Sequence, residues 1–181
     1  MHRAVALSII LCAAGCSNLP AVPSPYAGQE RRDIKSLSAS DVNGLLAGDG
    51  MGYAKSAELN GYPGPAHVRE LANELGLSPD QLAATAAVFE RMNQSAKRLG
   101  TQIVDAERRL EQAFASHAID AGSLSSALNE IAVLQGRLRN VHLQAHLEQT
   151  AILSRDQVAS YIGMRGYDSG SSDHGKDRHK H

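Results

Sequence analysis

Cysteine is almost absent from this 181-residue sequence: Cys12 and Cys16 are the only two examples, and both lie near the N-terminus. The chain after residue 16 can therefore form neither a disulfide framework nor a metal site with thiolate ligands. Tryptophan is also absent, and aromatic residues make up only 4% of the chain. A hydrophobic core must then be built from Leu, Ile, Val and Ala, which favours closely packed helices over a sheet sandwich.

Sequence patterns typical of enzymes are missing as well. The chain contains no Gly-x-Ser-x-Gly nucleophile elbow, no glycine-rich loop for phosphates and no HExxH motif of hydrolytic zinc sites. The formal net charge is −1 at pH 7, which gives no electrostatic footprint for nucleic acid. We therefore expect a protein that is not an enzyme and does not bind nucleic acid.

The first sixteen residues, MHRAVALSIILCAAGC, are typical of an export signal. Arg3 supplies a short basic region, residues 4–11 form an apolar run, and small residues lead to Cys16. The apolar run is too short to span a bilayer as a permanent helix. The last four residues resemble a bacterial lipobox with Ala13 where Leu is usual, so Cys16 is a candidate for acylation. Cleavage as an ordinary secretory signal is the alternative.

A tether is predicted for residues 17–36, because this segment is polar and contains Pro20, Pro23 and Pro25. A lipid anchor followed by such a spacer would hold the protein at a membrane from the periplasmic side. If sorting follows the usual bacterial rule for lipoproteins, Ser17 favours the outer membrane.

The opposite end, residues 167–181, reads YDSGSSDHGKDRHKH. It is too hydrophilic to pack, so we predict a disordered tail whose histidines hold divalent ions loosely at most. One folded domain is then expected over residues 37–166.

Two five-residue boxes, LSPDQ at 77–81 and LSRDQ at 153–157, are typical helix starts, and LSASD at 37–41 is similar. In each, a serine caps a helix and the residue three positions later reaches back to the amide of the cap. The residues that carry the two main boxes are Leu77, Ser78, Gln81, Leu153, Ser154 and Gln157.

Apolar residues repeat in steps of three and four from Leu82 to about residue 116, and again from Ala127 to Ile152. Two such seams joined by a short polar turn predict an antiparallel helical hairpin. Shorter helices are predicted at 39–47, 51–59, 65–75 and 154–165. No segment has the pattern of a strand, so the predicted fold is all-α: a long antiparallel helical hairpin with shorter flanking helices at its open end.

The export signal, the hairpin and the paired boxes together resemble the Spy/CpxP-like periplasmic superfamily, whose motif is Leu-Thr-x-x-Gln. Serine replaces threonine in both boxes here and keeps the capping hydroxyl. The resemblance covers about residues 37–167, and residues 50–81 are most similar to the heavy-metal sensor and resistance branch, which includes proteins similar to CnrX and ZraP. The resemblance implies a periplasmic metal sensor or resistance protein, or an ATP-independent chaperone.

His142 and His146 lie one helical turn apart and are candidate metal ligands. A helical wheel of about 100° per residue puts both at the margin of the buried face. There a neutral imidazole can bind a metal through one nitrogen and a hydrogen-bond partner through the other. The alternative is two partly buried histidines satisfied by hydrogen bonds alone. Two imidazoles are an incomplete set, since stable sites have about four ligands.

Antiparallel pairing suggests further ligands. If the hairpin turns near residue 120, positions whose numbers sum to about 240 face each other, and Glu90 lies one turn beyond the residues opposite the histidine pair. The helix that begins at Pro65 should bring His67, Glu70 or Glu74 to the same open end.

In the metal-sensing relatives, histidines from the helix before the hairpin combine with a hairpin glutamate and a late histidine. The resemblance therefore implies His67, Glu90, His142 and His146 as ligands of a divalent transition metal: Zn, Ni, Co or Cu. The HxxxH motif of the preceding helix in those relatives is absent, because Leu71 follows His67 by four.

Three functions follow from these patterns. The first is a cell-envelope metal-binding protein that coordinates its ion between helices, and as a sensor it would need a signalling partner in the membrane. The second is an ATP-independent periplasmic chaperone of the Spy/CpxP type, acting on unfolded clients. The third is a structural lipoprotein or adaptor. A homodimer formed through the hairpin is expected.

Overall fold

The computed structural model describes residues 22–167. The predicted signal, the acylation at Cys16 and nearly all of the predicted tail lie outside this range. Within it the regular secondary structure is all helical, without strands, which confirms the all-α prediction. None of the helices in the described range is long and apolar enough to cross a bilayer.

The chain divides at Arg31 into a short N-terminal unit and a main unit that begins at Arg32. The described part of the first unit contains turns and one 3-10 helix, Gln29–Arg31. Up to residue 167 the main unit contains six α-helices: α1 (Ala39–Ala47), α2 (Lys55–Glu58), α3 (Pro65–Glu70), α4 (Pro79–Ala115), α5 (Ala121–Ile152) and α6 (Arg155–Met164).

The helix starts follow from local chemistry. Ser38, Ser78 and Ser154 each accept a hydrogen bond from the backbone N–H three residues later, and the side chain of that later residue accepts from the backbone of the cap. The predicted caps are thus confirmed. Asp120 and Ser123 form a fourth box of the same kind at the start of α5, which was not predicted.

Helices α4 and α5 form the predicted hairpin. Helix α1 lies across α4 at Gly100, where an added Cβ would stand 1.9 Å from the carbonyl oxygen of Leu45. Only a residue without a side chain allows the two backbones to approach so closely. The buried aliphatic residues of this core are Ile34, Leu45, Ala96, Ile103, Val104, Ala106, Ile131, Leu134 and Leu138.

A second, smaller core lies at the open end of the hairpin. Val68 of α3, Leu75 of the following turn, Leu153 at the end of α5 and Tyr161 of α6 are all buried there. Helix α3 is shorter than predicted, because the chain continues from Glu70 through turns to Gly76 with a positive φ of 60°. This core fixes α3 and α6 against the end of the hairpin, beside the cavity described next.

Candidate metal centre

A cavity of about 520 Å³ opens beside the second core. Its walls come from the loop between α1 and α2, from α2 itself, from the start of α3, and from one face each of α4 and α5. The ionisable side chains with metal-binding potential that line it include Glu58, His67, His142 and His146. Three of the four predicted ligands are thus brought to one cavity.

Glu58 is only 9% exposed, and both of its carboxylate oxygens accept hydrogen bonds. Its Oε1 accepts hydrogen bonds from the hydroxyl of Tyr161 at 2.5 Å and from that of Tyr167 at 3.1 Å, and lies 3.7 Å from Arg165 Nε. Its Oε2 accepts from the backbone N–H of Gly64 at 3.2 Å. Oε1 therefore faces α6 and the chain after it, with His67 of α3 also nearby at 3.5 Å, and Oε2 faces the backbone at the start of α3.

Tyr161 is held in its protonated form. Burial, and then its hydrogen bond to Glu58, raise the pKa of the Tyr161 phenol far above its usual value of 10. A phenol that keeps its proton remains a hydrogen-bond donor, so it stabilises the charged carboxylate of Glu58.

His146 approaches Glu58 from α5. Its Nδ1 lies 2.8 Å from the carbonyl oxygen of Tyr62 and 3.6 Å from Glu58 Oε2. A carbonyl can only accept, so Nδ1 carries a proton, and in the neutral ring Nε2 holds the lone pair. A Cβ added at Gly64 would lie 2.9 Å from Cε1 and 3.0 Å from Nε2 of this ring. The glycine therefore leaves room for the imidazole edge that could bind a ligand.

His142 lies one turn earlier on α5 and is only 2% exposed. Its Nε2 is buried and has no hydrogen-bond partner among residues 22–167. Its ring stacks parallel to that of Tyr53, with centroids 6.1 Å apart. Burial is the main cause of its lowered pKa, with a further contribution from His146 that Asp49 opposes. His142 is thus a neutral imidazole with an unused nitrogen, the form in which histidine binds a metal.

His67 lies beside Glu58 at the cavity, whereas Glu90 does not line the cavity. His67 Nδ1 lies 3.5 Å from Glu58 Oε1 and 3.4 Å from the hydroxyl of Tyr161, and its side chain is 39% exposed. Glu90 is exposed and accepts a hydrogen bond from Gln94. Phe89, Met92 and Asn93 form the α4 wall, and Glu90 is turned about 100° from Phe89 around the helix.

Sequence patterns contain little indication of Glu58. Helix α2 has only four residues, too few for a periodic pattern. The one available signal is that Glu58 is the only acidic residue between Asp49 and Glu70.

The donors do not form a ready coordination shell. Within residues 22–167, no group of three or more His, Cys, Asp or Glu side chains is arranged to hold a metal ion. Instead, Glu58 receives hydrogen bonds, and the imidazoles of His67 and His146 lie near its oxygens. Imidazole and carboxylate donors are suitable ligands for a transition metal. The buried Nε2 of His142 is especially suitable, since it has no other partner in the part of the chain that the structure describes.

Comparison with known proteins identifies the family. No curated protein and no solved structure matches the chain. A sequence profile described as heavy-metal resistance matches residues 44–160, a span that contains all the residues lining the cavity and both helices of the hairpin. Because that match covers well over half of the sequence, the protein belongs to the heavy-metal resistance family, whose members are typically periplasmic and include CnrX-, ZraP- and Spy-like proteins.

Proposed function

We propose that the protein is a cell-envelope metal-binding protein of the sensor or resistance type, which captures a divalent transition metal in the cavity between α2, α3 and α5. The proposed ligands are His142 and His146 of α5, His67 of α3 and Glu58 of α2. The main observation behind the proposal concerns His142. Its Nε2 is buried without a hydrogen-bond partner among the described residues, in a cavity that two other imidazoles and a carboxylate also line.

The chemistry of this donor set defines the class of ion. Imidazole nitrogens and a carboxylate oxygen are suitable ligands for Zn, Ni, Co or Cu. No thiolate is available in the chain after Cys16, so ions that require sulfur anions are disfavoured. Glu90 is replaced by Glu58 in the proposed set, because it does not line the cavity.

The proposed ligands come from three separate helices, so binding would depend on how those helices pack. The resting contacts of Glu58 would have to change before its oxygens and the imidazoles could surround one ion. Such a change in packing is what a sensor would need in order to report on its ligand. The predicted export signal and the predicted acylation at Cys16 would place the protein at the outer membrane, facing the periplasm.

Calorimetric titration and metal analysis of the full chain test this function. The reference protein carries His174→Ala, His179→Ala and His181→Ala, so that tail histidines do not contribute. We expect one equivalent of Zn or Ni to bind, with affinity reduced at least about tenfold by His146→Gln or Glu58→Gln.

Glu90→Gln is the matched control, because it removes an exposed carboxylate of the same hairpin. It should leave affinity unchanged. Circular dichroism of each variant checks that the helices remain folded. Absence of uptake in the reference protein would reject the proposal, and so would equal uptake in all the variants.

A further inference from the structure

We infer that Glu58 couples the cavity to the C-terminal helix, so that metal capture loosens the attachment of α6 and of the chain that follows it. This inference rests on the proposed function. Its structural basis is that one buried carboxylate has two sets of neighbours. Oε2 lies near Gly64 and His146, whereas Oε1 lies near Tyr161, Tyr167 and Arg165, and 3.5 Å from His67 Nδ1.

The contacts on Oε1 join α2 to the C-terminal end of α6. Tyr161 lies within α6, and Arg165 and Tyr167 follow it in the chain. All three reach the same oxygen of a residue about a hundred positions earlier. Arg165 Nε also lies 3.4 Å from the hydroxyl of Tyr167, so the three groups are linked to one another as well as to Glu58.

Negative charge on Glu58 holds this arrangement together. Hydrogen bonds to an ionised acceptor are about twice as strong as those between neutral groups, and Arg165 is attracted to the carboxylate by its charge. A divalent cation at Oε2 would withdraw electron density from the carboxylate and repel the guanidinium. All the contacts on Oε1 would then weaken together.

Coordination of one ion by all four proposed ligands would require such a disturbance. The donor atoms are not grouped around a common point in the described residues, and Glu58 is engaged on both of its oxygens. Coordination through Glu58 would therefore compete with the contacts that hold α6. Coupling between two sites is reciprocal, so a change that frees Oε1 from α6 should strengthen metal binding.

Hydrogen exchange of the full chain, with the three tail histidines replaced as above, measures the first half of this coupling. Amides of residues 158–167 should exchange at least about fivefold faster when Zn is bound. Amides in the middle of α4 and α5 provide the internal reference and should not accelerate.

The second half is measured with Tyr167→Phe, which removes one hydroxyl from Oε1 and keeps the ring. Tyr161→Phe is the companion variant for the buried phenol. Each should bind Zn about three- to tenfold more tightly, whereas the control Tyr26→Phe, at an exposed tyrosine of the N-terminal unit, should not change the affinity.

The outcomes separate the two proposals. If Zn binds but residues 158–167 exchange at the same rate or more slowly, and both variants bind Zn like the reference protein, the coupling is rejected and the metal site remains. If the reference protein takes up no Zn, both proposals are rejected.

Discussion

Gln81 and Gln157, the last residues of the two boxes, exchange a pair of side-chain hydrogen bonds. Gln81 Nε2 donates to Gln157 Oε1 at 2.8 Å, and Gln157 Nε2 donates to Gln81 Oε1 at 3.1 Å. Gln81 Nε2 also donates to the backbone carbonyl of Ile152, and Gln157 Nε2 donates to that of Leu75. The two boxes thus do more than start two helices: they tie those helices to each other and to the segments that precede them.

Replacing either glutamine should destabilise the folded protein. We expect Gln81→Ala and Gln157→Ala each to lower the free energy of unfolding by about 1–3 kcal/mol, because part-buried partners lose their hydrogen bonds. The double variant should lose less than the sum of the two by about 0.5 kcal/mol or more, since both single changes break the same pair. Urea unfolding measures all three, with the exposed Gln144→Ala as control. Strict additivity would contradict the exchange.

Two helical glycines should respond to alanine in opposite directions. Gly100→Ala places a Cβ against the backbone of α1, so we expect a loss of at least about 2 kcal/mol in stability or detachment of α1. Gly136→Ala has open space around it on α5 and should stabilise the protein by about 0.5–1 kcal/mol through helix propensity. Thermal unfolding of the two variants checks the contrast, and a stable Gly100→Ala protein with α1 in place would contradict it.

The buried His142 should make the metal-free protein sensitive to mild acid. Its pKa is lowered below 6.5 in the folded state, so the unfolded chain takes up a proton first as the pH falls. Stability should therefore be complete above about pH 7 and decline below 6.5, by at most about 1.4 kcal/mol per pH unit. Urea unfolding with a chelator present should show a smaller decline for His142→Phe. Equal slopes in the two proteins would argue against burial as the cause.

Gly64→Ala should disturb the cavity without a backbone conflict. Gly64 has φ −83° and ψ 141°, which any residue adopts, so the only obstacle is the ring of His146 beside it. We expect the added methyl to displace this imidazole and reduce Zn affinity by at least about fivefold. Gly50→Ala, at the border of the same cavity with open space around it, is the matched control. A calorimetric titration that finds the two variants alike would contradict the prediction.

Those features of the fold that depend on neighbouring residues could be predicted from the sequence. The serine caps and the hairpin seams involve contacts within a few residues or a regular repeat. The end of a seam is less predictable: Leu82 has the right spacing yet is 42% exposed.

Part of the lining of the candidate cavity could be predicted for the same physical reason. His142 and His146 share one face of a long helix, and the position of His67 follows from the reversal of the chain before α4. Glu58 lies in a four-residue helix, and its strongest contact is with Tyr161, at a separation that no local pattern reveals. Glu90 was selected by its distance from the turn, which does not specify the direction of a side chain around the helix axis.

The wide separation of these groups along the chain has a thermodynamic consequence. Tyr161 meets Glu58 across 103 positions and His146 meets Tyr62 across 84, so an unfolded chain contains nothing that resembles the cavity. A solute held there would favour the native state by mass action, by about 2.7 kcal/mol at a hundredfold excess over its dissociation constant. A bound metal ion would then protect the protein against heat and proteolysis. The amount of the protein would rise with the concentration of that ion.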